Sequence, residues 1–262
     1  MSEPTYFATP RLYDMMYSDF RTDIDFHIAE ARGLKGPVLE VCCGNGRILV
    51  PMREAGLDIE GLDLDESMLA DARRKLEAKG LETALHAADM RDFTLPRRYG
   101  YVFVPFNSFL HNLTQEDQLG TLRCCREHLA PDGMLTLMAF HPSATKLAAF
   151  DGVPQLMKEI GSPDGGGRMR IWDGIRPNRV EQINNVERRV ERLDDSGNLP
   201  ETQRMQFQLR YIYKPEMELL LRIAGFGRWD AFTPFASYSG QPYEAPRAPE
   251  DGGIIAWHAW VT

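Results

Sequence analysis

From residue 38 to about 141, short runs of apolar residues alternate with stretches whose apolar positions recur every three or four residues. The short runs are typical of buried strands, and the longer period is typical of amphipathic helices. The runs predict strands at residues 38–42, 58–63, 82–88, 101–105 and 134–140. The periodic stretches predict helices at residues 47–55, 66–79 and 115–129. Strands that alternate with helices indicate a doubly wound α/β sheet.

The segment before the first strand has helical periodicity over residues 9–32. Its apolar side chains recur at three- and four-residue steps and predict an amphipathic helical region with a core-facing stripe. The residues of this stripe are Leu12, Met15, Met16, Phe20, Ile24 and Ile28.

After Pro142 the pattern changes to long segments of strand type. Residues 203–213 alternate strictly between an apolar and a polar face, which predicts a half-buried antiparallel strand. The apolar face has Met205, Phe207, Leu209, Tyr211 and Tyr213, and the polar face has Arg204, Gln206, Gln208 and Arg210. The sequence DDSGN, residues 194–198, supplies the turn chemistry of a hairpin. We therefore expect residues 145–211 to form an inserted antiparallel layer.

A helix at residues 215–224 and two strands, 227–232 and 254–261, then return the chain to the α/β pattern. The predicted fold is a mostly parallel, seven-stranded, Rossmann-like sheet with an antiparallel β insert. Three units follow: a lid helix with an α/β core (1–144), the insert (145–211) as a substrate cap or dimer surface, and a segment that completes the core (212–262).

The composition and the net charge limit the classes of partner that the protein can bind. Of 262 residues, 43% are hydrophobic and 26% are charged, as in an ordinary globular protein. The formal net charge of −8 repels nucleic acids and anionic membrane surfaces. No apolar run reaches the ~20 residues that span a bilayer, and no signal-peptide pattern opens the chain. We expect a cytoplasmic protein without a nucleic-acid or membrane partner.

The four cysteines form two adjacent pairs, Cys42-Cys43 and Cys124-Cys125. This spacing fits neither a disulfide framework nor the C-x-x-C of zinc and redox sites, so packed thiols are expected. Asp65 and Glu66 stand where a helix N-cap and first-turn carboxylates belong, so no metal site is required.

The sequence Gly44-Asn45-Gly46 lies between a predicted strand and helix, where the backbone approaches a ligand closely. The dinucleotide fingerprint needs a third glycine three residues later, and Leu49 occupies that position. Asp63, at the end of the second strand, is placed to accept hydrogen bonds from a ribose diol. An adenosine cofactor fits these residues better than one bound through a pyrophosphate.

At these residues the chain resembles the class I S-adenosylmethionine-dependent methyltransferases. LEVCCGNGR is similar to their glycine loop, with Glu40 as its acidic residue and Gly44 and Gly46 as its second and third glycines. Cys42 takes the place of the first glycine. GLDLDESMLADAR resembles the second motif, which implies that Asp63 binds the ribose hydroxyls and that Leu64 packs near the adenine.

Two further segments follow in the same order as in that family. AADMRDF resembles the third motif, which implies that Asp89 takes the adenine amine and Met90 its ring face. YVFVPFNSFLHNL resembles the fourth-strand segment, which implies that Phe106 and Asn107 lie beside the methionine moiety. The resemblance spans about residues 11–141 and the closing elements.

Within this family, LYDMMYSD and the strand insert resemble the small-molecule group that includes the amino-sugar N,N-dimethyltransferases. The resemblance implies that the N-terminal helix closes over the cofactor and that Tyr13 and Tyr17 line its pocket. It also implies direct in-line methyl transfer to a nitrogen or oxygen of a small-molecule acceptor. Two alternatives remain open: a catalytically silent S-adenosylmethionine-binding protein and a nicotinamide-dependent oxidoreductase.

Two histidines are candidates for a general base, and at most one is expected to act as such. His111 follows the fourth strand and His141 ends the fifth, so both belong to the carboxyl edge of the sheet, where doubly wound folds keep their sites. Hydrogen bonding within a loop is the alternative for each. In the insert, Trp172, Arg176, Arg210 and Tyr211 are expected to pack the sheet, with a substrate mouth or a subunit contact as the alternative.

Overall fold

The computed structural model describes residues 9–17, 19–161, 166–198, 201–234, 248–249 and 252–262, and every structural statement below concerns these residues. The elements in chain order are α1 (Pro10–Tyr17), α2 (Thr22–Arg32), β1 (Val38–Val41), α3 (Leu49–Glu54), β2 (Ile59–Asp63), α4 (Glu66–Glu77), β3 (Leu85–Ala87), β4 (Tyr99–Val104), a 3-10 helix (Ser108–His111), α5 (Gln115–Glu127), β5 (Leu129–Phe140), α6 (Ala144–Ala149), β6 (Gln155–Gly161), β7 (Arg168–Asn178), β8 (Ile183–Leu193), β9 (Glu201–Arg210), α7 (Lys214–Ala224), β10 (Arg228–Phe232) and β11 (Ile254–Trp260).

Seven strands form one sheet in the order β10-β11-β5-β4-β1-β2-β3. β11 runs antiparallel to both of its neighbours, and the other pairs are parallel. Every residue of β1 and β4 is buried, because helices cover both faces of the sheet. The predicted seven-stranded, mostly parallel sheet is confirmed.

The order of the strands locates the crevice in which such sheets bind ligands. From β1 the chain proceeds to β2 and β3 on one side, and then to β4 and β5 on the other. A crevice therefore opens beyond the carboxyl ends of β1 and β4, where the order reverses. The loops that follow these two strands contain predicted site residues: Gly44 and Gly46 after β1, and Phe106 and Asn107 after β4.

The insert is a separate antiparallel sheet in the order β6-β7-β8-β9. Its predicted hairpin turn is confirmed: Oδ1 of Asp194 accepts hydrogen bonds from the N–H groups of Ser196 and Asn198, both at 2.9 Å. Residues 162–165, in the glycine-rich sequence GSPDGGGRMR, and residues 199–200 lie outside the described residues. The boundaries 1–144, 145–211 and 212–262 stay a prediction.

One face of the insert packs on α1. Leu12 of α1 is buried in a cluster with Met169, Ile171, Val190 and Met205, and Met15 and Met16 pack against the same cluster. The N-terminal helix therefore lies between the insert and the glycine loop of the core.

The helical region predicted over residues 9–32 is confirmed, and it consists of two helices, α1 and α2. Phe20 between them is buried in a different cluster from that of Leu12. The carbonyl of Phe20 accepts a hydrogen bond from Nη1 of Arg47 at 3.1 Å. The predicted apolar stripe divides among separate clusters, because Leu12 packs on the insert and Phe20 packs on the core sheet.

The polar face predicted for β9 fails at its last residue. Arg210 is buried and donates to Oε1 of Gln118 at 2.8 Å and to Oε1 of Glu216 at 2.7 Å. Because α5 and α7 supply both acceptors, the guanidinium is satisfied away from water. The expected packing role of Arg210 agrees with these contacts.

None of the helices that the structure describes is both long enough and apolar enough to cross a bilayer.

Candidate cofactor and acceptor site

The loop between β1 and α3 has the backbone of a glycine-rich loop. Gly44 and Gly46 have φ values of 52° and 79°, and Cys42 has a φ of 63°. A side chain is rarely found in this left-handed region, so Cys42 carries backbone strain where the resembled family has glycine. The Cys42 thiol lies 3.5 Å from the Met90 sulfur, and burial raises the pKa of the thiol well above its usual value.

Asp63 joins this loop to the next strand. Its Oδ2 accepts a hydrogen bond from the N–H of Gly44 at 2.8 Å, and its Oδ1 accepts one from the N–H of Asp65 at 2.9 Å. Burial raises the pKa of Asp63, and the backbone hydrogen bonds from Asp65 and Gly44 oppose that rise. Each carboxylate oxygen keeps a further lone pair, so Asp63 can still accept from a ligand diol.

A cavity of about 680 Å³ opens beside this carboxylate. The structure brings eight of the predicted site residues to its wall. They are Tyr13, Cys42, Gly44, Asp63, Leu64, Asp89, Met90 and His111. Leu64 is 71% exposed, which is unusual for a leucine and leaves its side chain available to pack on a ligand.

Six predicted site residues lie outside this cavity wall: Tyr17, Glu40, Gly46, Phe106, Asn107 and His141. Gly46 faces inward, because a Cβ there would lie 3.0 Å from Cγ2 of Val50. Asn107 has a structural role, since its Oδ1 accepts from the N–H of Phe140 at 2.8 Å. Their contacts with a cofactor stay predictions.

Glu40 is buried beneath the glycine loop. Its Oε2 has no hydrogen-bond partner, and burial raises the pKa of its carboxyl group well above the usual value. A buried polar oxygen without a partner is costly, so this atom is a candidate acceptor for a ligand donor.

An aromatic wall connects Tyr13 to the end of β4. The Tyr13 and Tyr17 rings lie 4.9 Å apart, and Tyr17 meets Phe106 edge-on at 5.2 Å. Phe106 has a φ of 60°, so the chain is strained after β4 as it is after β1.

Asp89 is not a free carboxylate. Arg91 donates from Nε and Nη2 to the carboxylate oxygens of Asp89, and its Nη1 lies 3.1 Å from Oδ1 of Asp117. The hydrogen bonds from Arg91 lower the pKa of Asp89. Asp89 therefore stays ionised, and any bond to a ligand amine would share it with Arg91.

The two candidate histidines have different surroundings. His111 ends the 3-10 helix and lines the cavity, and burial lowers its pKa to about 4. His141 lies outside this cavity wall, with its ring edge-on to Tyr213 at 5.4 Å. His111 is therefore neutral near pH 7 and is the one that faces the cavity.

Sequence reasoning missed the buried ion pair between Arg47 and Asp23. Burial alone would lower the pKa of Arg47, but the hydrogen bonds that its guanidinium donates to Asp23 raise the pKa above its usual value. The guanidinium also stacks 4.8 Å from the Phe106 ring, and its Nε lies 3.4 Å from the Tyr13 hydroxyl. The two residues are 24 positions apart, and no local pattern relates them.

A polar contact that holds α1 to the core was also missed. Asp14 accepts from Nδ2 of Asn45 at 2.8 Å and pairs with Nζ of Lys75 at 2.7 Å. At the other end of α1, Lys158 of the insert donates to the carbonyl of Met16 at 2.7 Å. Tyr13 is therefore placed over the cavity by partners of α1 from the core and from the insert.

Residues 38–133 match the model of a methyltransferase domain family. The chain is similar to dTDP-3-amino-3,6-dideoxy-α-D-glucopyranose N,N-dimethyltransferase of Streptomyces fradiae, with 32% identity over 48% of this chain and 51% of the relative. A second N,N-dimethyltransferase, from Streptomyces venezuelae, is 35% identical over 38% of this chain and 40% of the relative. The chain thus spans about half, or less, of the curated relatives it matches.

Solved structures extend the likeness to the whole fold. DesVI from Streptomyces venezuelae has a TM-score of 0.73 at 21% identity and covers 96% of this chain and 98% of its own. An amino pentose methyltransferase from Micromonospora echinaspora has a TM-score of 0.69 at 21% identity, over 93% and 91% of the two chains. Residues 38–133 therefore match a methyltransferase domain family, and the chain as a whole has the fold of these two solved structures.

Proposed function

We propose that this chain is an enzyme that moves the methyl group of S-adenosylmethionine to an amino nitrogen of a small, sugar-like acceptor. The observation that carries the proposal is the carboxylate of Asp63, fixed by two backbone N–H groups at the wall of a cavity of about 680 Å³ beside a glycine loop. Such a carboxylate suits the ribose diol of an adenosine cofactor.

The charges of the cavity fit that cofactor. Four carboxylates line the wall, from Asp63, Asp65, Glu66 and Asp89, against one cationic side chain, Arg91. S-adenosylmethionine carries a sulfonium and an ammonium group against one carboxylate, so a negative wall attracts it. A pyrophosphate would meet four negative charges and an arginine already paired with two carboxylates. This wall therefore disfavours a dinucleotide.

The residues that would hold the cofactor divide by its parts. Asp63 would bind the ribose hydroxyls, Leu64 and Met90 would pack on the adenine, and Asp89 would take its amine. Tyr13 would face the sulfonium, which aromatic rings attract through their electron-rich faces. Glu40, with its partnerless Oε2, would receive an ammonium hydrogen directly or through water.

When bound, S-adenosylmethionine supplies a methyl group that is already electrophilic. The chain's own residues therefore need to bind, orient and exclude water rather than activate a leaving group. His111 is neutral near pH 7, because burial lowers its pKa to about 4. It would accept a hydrogen bond from the acceptor N–H and so direct the nitrogen lone pair. His141 does not line the cavity and would reach the acceptor only from outside the cavity wall.

The similarities favour nitrogen as the methylated atom. The names of the Streptomyces fradiae and Streptomyces venezuelae relatives describe N,N-dimethyltransferases of dTDP-linked 3-amino sugars. A neutral amine is a sufficient nucleophile for a sulfonium methyl group, whereas a hydroxyl would benefit from a stronger base than a histidine of such low pKa. An amine acceptor therefore suits His111 better than an alcohol.

Calorimetric titration with S-adenosylmethionine, S-adenosylhomocysteine and NADH tests the cofactor. We expect binding of the first two and none of NADH. Methyl transfer to free and nucleotide-linked amino sugars, phenols and hydroxy compounds then tests the reaction. NADH binding alone would refute the proposal. Cofactor binding without transfer to any acceptor would favour a catalytically silent protein.

The proposal includes a homodimer through the insert and a cytoplasmic location. β6 lies at an edge of its sheet and exposes Leu156 and Met157, at 48% and 59%. Light scattering at several protein concentrations, with Met157→Lys as the variant, tests the dimer. If the wild type and Met157→Lys have the same mass in solution, this contact does not form a dimer. Cell fractionation tests the location.

A further inference from the structure

Arg47 directly follows the glycine loop, and its side chain is buried instead of facing solvent. It is 8% exposed, and the side chain of its partner Asp23 is 0% exposed. A guanidinium removed from water to this extent needs acceptors for its N–H groups within the protein. The structure supplies these acceptors from three places: α1, the connection between α1 and α2, and α2 itself.

Each nitrogen of the Arg47 guanidinium has its own partner. Nη1 donates to Oδ1 of Asp23 at 2.9 Å and to the carbonyl of Phe20 at 3.1 Å. Nη2 donates to Oδ2 of Asp23. Nε donates to the Tyr13 hydroxyl at 3.4 Å. Because the guanidinium is planar and its donors form one rigid fork, the bonds of the two Nη atoms determine where Nε lies.

Two phenylalanine rings enclose the same guanidinium. Its Cζ lies 4.8 Å from the centre of the Phe106 ring and 5.7 Å from the centre of the Phe20 ring. The two rings meet edge-on at 5.3 Å. An aromatic face attracts a cation through the ring quadrupole. Arg47 is therefore held by α2 through Asp23 and by the loop after β4 through Phe106.

The contact with Arg47 fixes the far end of the Tyr13 ring. The ring is attached to α1 at one end, and Nε of Arg47 holds the hydroxyl oxygen at the other. Tyr17 meets the ring at 4.9 Å and an interplanar angle of 53°. The face of an aromatic ring is electron-rich and its edge is positive, so only a correctly oriented ring attracts a cation. The orientation of the Tyr13 ring therefore sets its attraction for a sulfonium.

The pairing with Asp23 also removes a charge that would oppose the cofactor. An unpaired guanidinium near a sulfonium would repel it, since like charges interact strongly where water is excluded. Asp23 accepts from both Nη atoms of Arg47, so the pair carries no net charge. The pair thus places a rigid donor at the Tyr13 hydroxyl without adding a positive charge beside the cavity.

We propose that Arg47 is a positioning residue that orients the Tyr13 ring toward the sulfonium of S-adenosylmethionine. Asp23 and Phe106 hold Arg47 in place for this role. The inference rests on the proposed function and adds to it a residue that distinguishes the cofactor from its product. S-adenosylhomocysteine has a neutral thioether in place of the sulfonium, so it gains nothing from the orientation of the ring. Methyl transfer therefore weakens this contact and favours release of the product.

The test is calorimetric titration of the protein with S-adenosylmethionine and with S-adenosylhomocysteine. The measured quantity is the Kd of S-adenosylhomocysteine divided by the Kd of S-adenosylmethionine, which we name the sulfonium preference. Both ligands carry the same adenosine and amino acid groups. A general distortion of the site therefore weakens both ligands and cancels in this ratio, whereas a change at the Tyr13 ring does not.

Arg47→Lys is the variant that separates the fork from the charge. It keeps one positive charge but has one nitrogen in place of three, so it cannot pair with Asp23 and hold Tyr13 as the guanidinium does. We expect the sulfonium preference to fall roughly three- to tenfold, within the range that a cation on an aromatic face contributes. A sulfonium preference within twofold of the wild type would overturn the inference.

A second background shows whether Arg47 acts through Tyr13. Tyr13→Leu removes the aromatic face and should lower the sulfonium preference by itself. Arg47→Lys combined with Tyr13→Leu should then lower it no further, because the two residues act as one unit. An equal effect of Arg47→Lys in both backgrounds would overturn the inference.

Arg210→Lys is the matched control. Arg210 also forms a buried ion pair, with Glu216 at 2.7 Å, but this pair joins β9 to α7. The control should leave the sulfonium preference within twofold of the wild type, and a loss equal to that of Arg47→Lys would overturn the inference. Melting temperatures identify a variant that fails to fold. If Arg47→Lys fails, Arg47→Met with Asp23→Leu removes both charges together and should lower the sulfonium preference by the same amount.

The wild-type titrations distinguish this inference from the proposed function. If neither ligand binds, the proposed function is refuted. If both ligands bind and Arg47→Lys leaves the sulfonium preference unchanged, only the role of Arg47 is refuted.

Discussion

The backbone N–H of Gly44 donates a hydrogen bond to Oδ2 of Asp63 at 2.8 Å, and this bond fixes the glycine loop to the end of β2. Two residues 19 positions apart are thereby held across the carboxyl edge of the sheet. The carboxylate that is proposed to bind the ribose is also the one that holds the loop, so ligand affinity and loop geometry depend on the same group.

Replacement of Asp63 by alanine should weaken cofactor binding by about 1–3 kcal/mol, roughly 5- to 150-fold, because hydrogen bonds to a charged group are lost. Titration of S-adenosylhomocysteine measures the effect. Glu66→Gln is the control, because Glu66 lines the same cavity but pairs with Arg73 at the surface. An Asp63→Ala affinity equal to that of the wild type would refute the ribose assignment.

His111→Ala and His141→Ala should differ in effect. His111 lines the cavity, so its loss should lower kcat at unchanged cofactor affinity, and His141→Ala should change acceptor KM more than kcat. Because burial lowers the pKa of His111 to about 4, its protonation should not limit the rate above about pH 5. Steady-state kinetics across pH 5–9 measure both effects. Full activity in both variants would exclude a histidine role.

Replacement of Cys42 by glycine should leave the stability of the protein nearly unchanged, whereas replacement by valine should lower it. Its φ of 63° is left-handed, which costs an L-residue roughly 1–2 kcal/mol that glycine does not incur. Cys42→Gly loses the contact with Met90 but relieves this strain, so its free energy of unfolding should stay within about 1 kcal/mol of the wild type. Cys42→Val should cost more, because a β-branched residue disfavours this φ further. Urea denaturation compares them, and equal stabilities of the two variants would contradict the strain.

The pair of Asp14 and Lys75 should slow cofactor release. It joins α1 to the core at 2.7 Å and is partly exposed, so the pair contributes at most about 1 kcal/mol and weakens with salt. Lys75→Met should therefore speed release of S-adenosylhomocysteine a few-fold at low salt, measured by stopped-flow fluorescence. Lys79→Met is the control, because Lys79 pairs with Glu54 instead of α1. Equal rates in the two variants would contradict the role of the pair.

Acid should destabilise the protein through its buried histidines. Burial lowers the pKa of His258 to about 4, whereas the unfolded chain takes up that proton near pH 6.5. The unfolded state then binds more protons between pH 6.5 and 4, so stability falls as the pH falls through this window. Glu40 affects stability in the opposite direction. Burial raises the pKa of its carboxyl group, so its contribution to the free energy of unfolding is lost as the pH rises.

The variant His258→Gln isolates this effect. The wild type should lose up to about 2 kcal/mol through His258 between pH 7 and pH 5, and the variant should lose that much less. Urea denaturation at the two pH values measures the difference. If His258→Gln loses as much free energy of unfolding between pH 7 and pH 5 as the wild type does, His258 does not contribute to the loss of stability in acid.

The parallel sheet was predictable because its causes are local. A buried strand such as β4 appears in the sequence as a run of apolar residues. A half-exposed helix such as α4 appears as apolar residues spaced three or four positions apart. Both patterns are present wherever the element lies in the fold. The glycine loop and Asp63 were found for a related reason, since the ends of adjacent parallel strands meet at one edge.

The N-terminal helix shows where local pattern fails. Its apolar positions keep a helical period through Phe20, but the structure has two helices there, and Arg47 donates a hydrogen bond to the Phe20 carbonyl between them. The energy of that bond depends on a residue 27 positions away, so no window along the chain contains it.

The sequence by itself determined the class of sheet, the strand ends that carry the loop, and the carboxylate at the second strand, because period and turn chemistry act over a few residues. Only the tertiary structure decided that His111 faces the cavity, that Asn107 binds the backbone of β5, and that Arg47 pairs with Asp23. These arrangements depend on contacts between segments far apart in the chain. Their free energy comes from packing and paired charges, which exist only once the whole chain is folded.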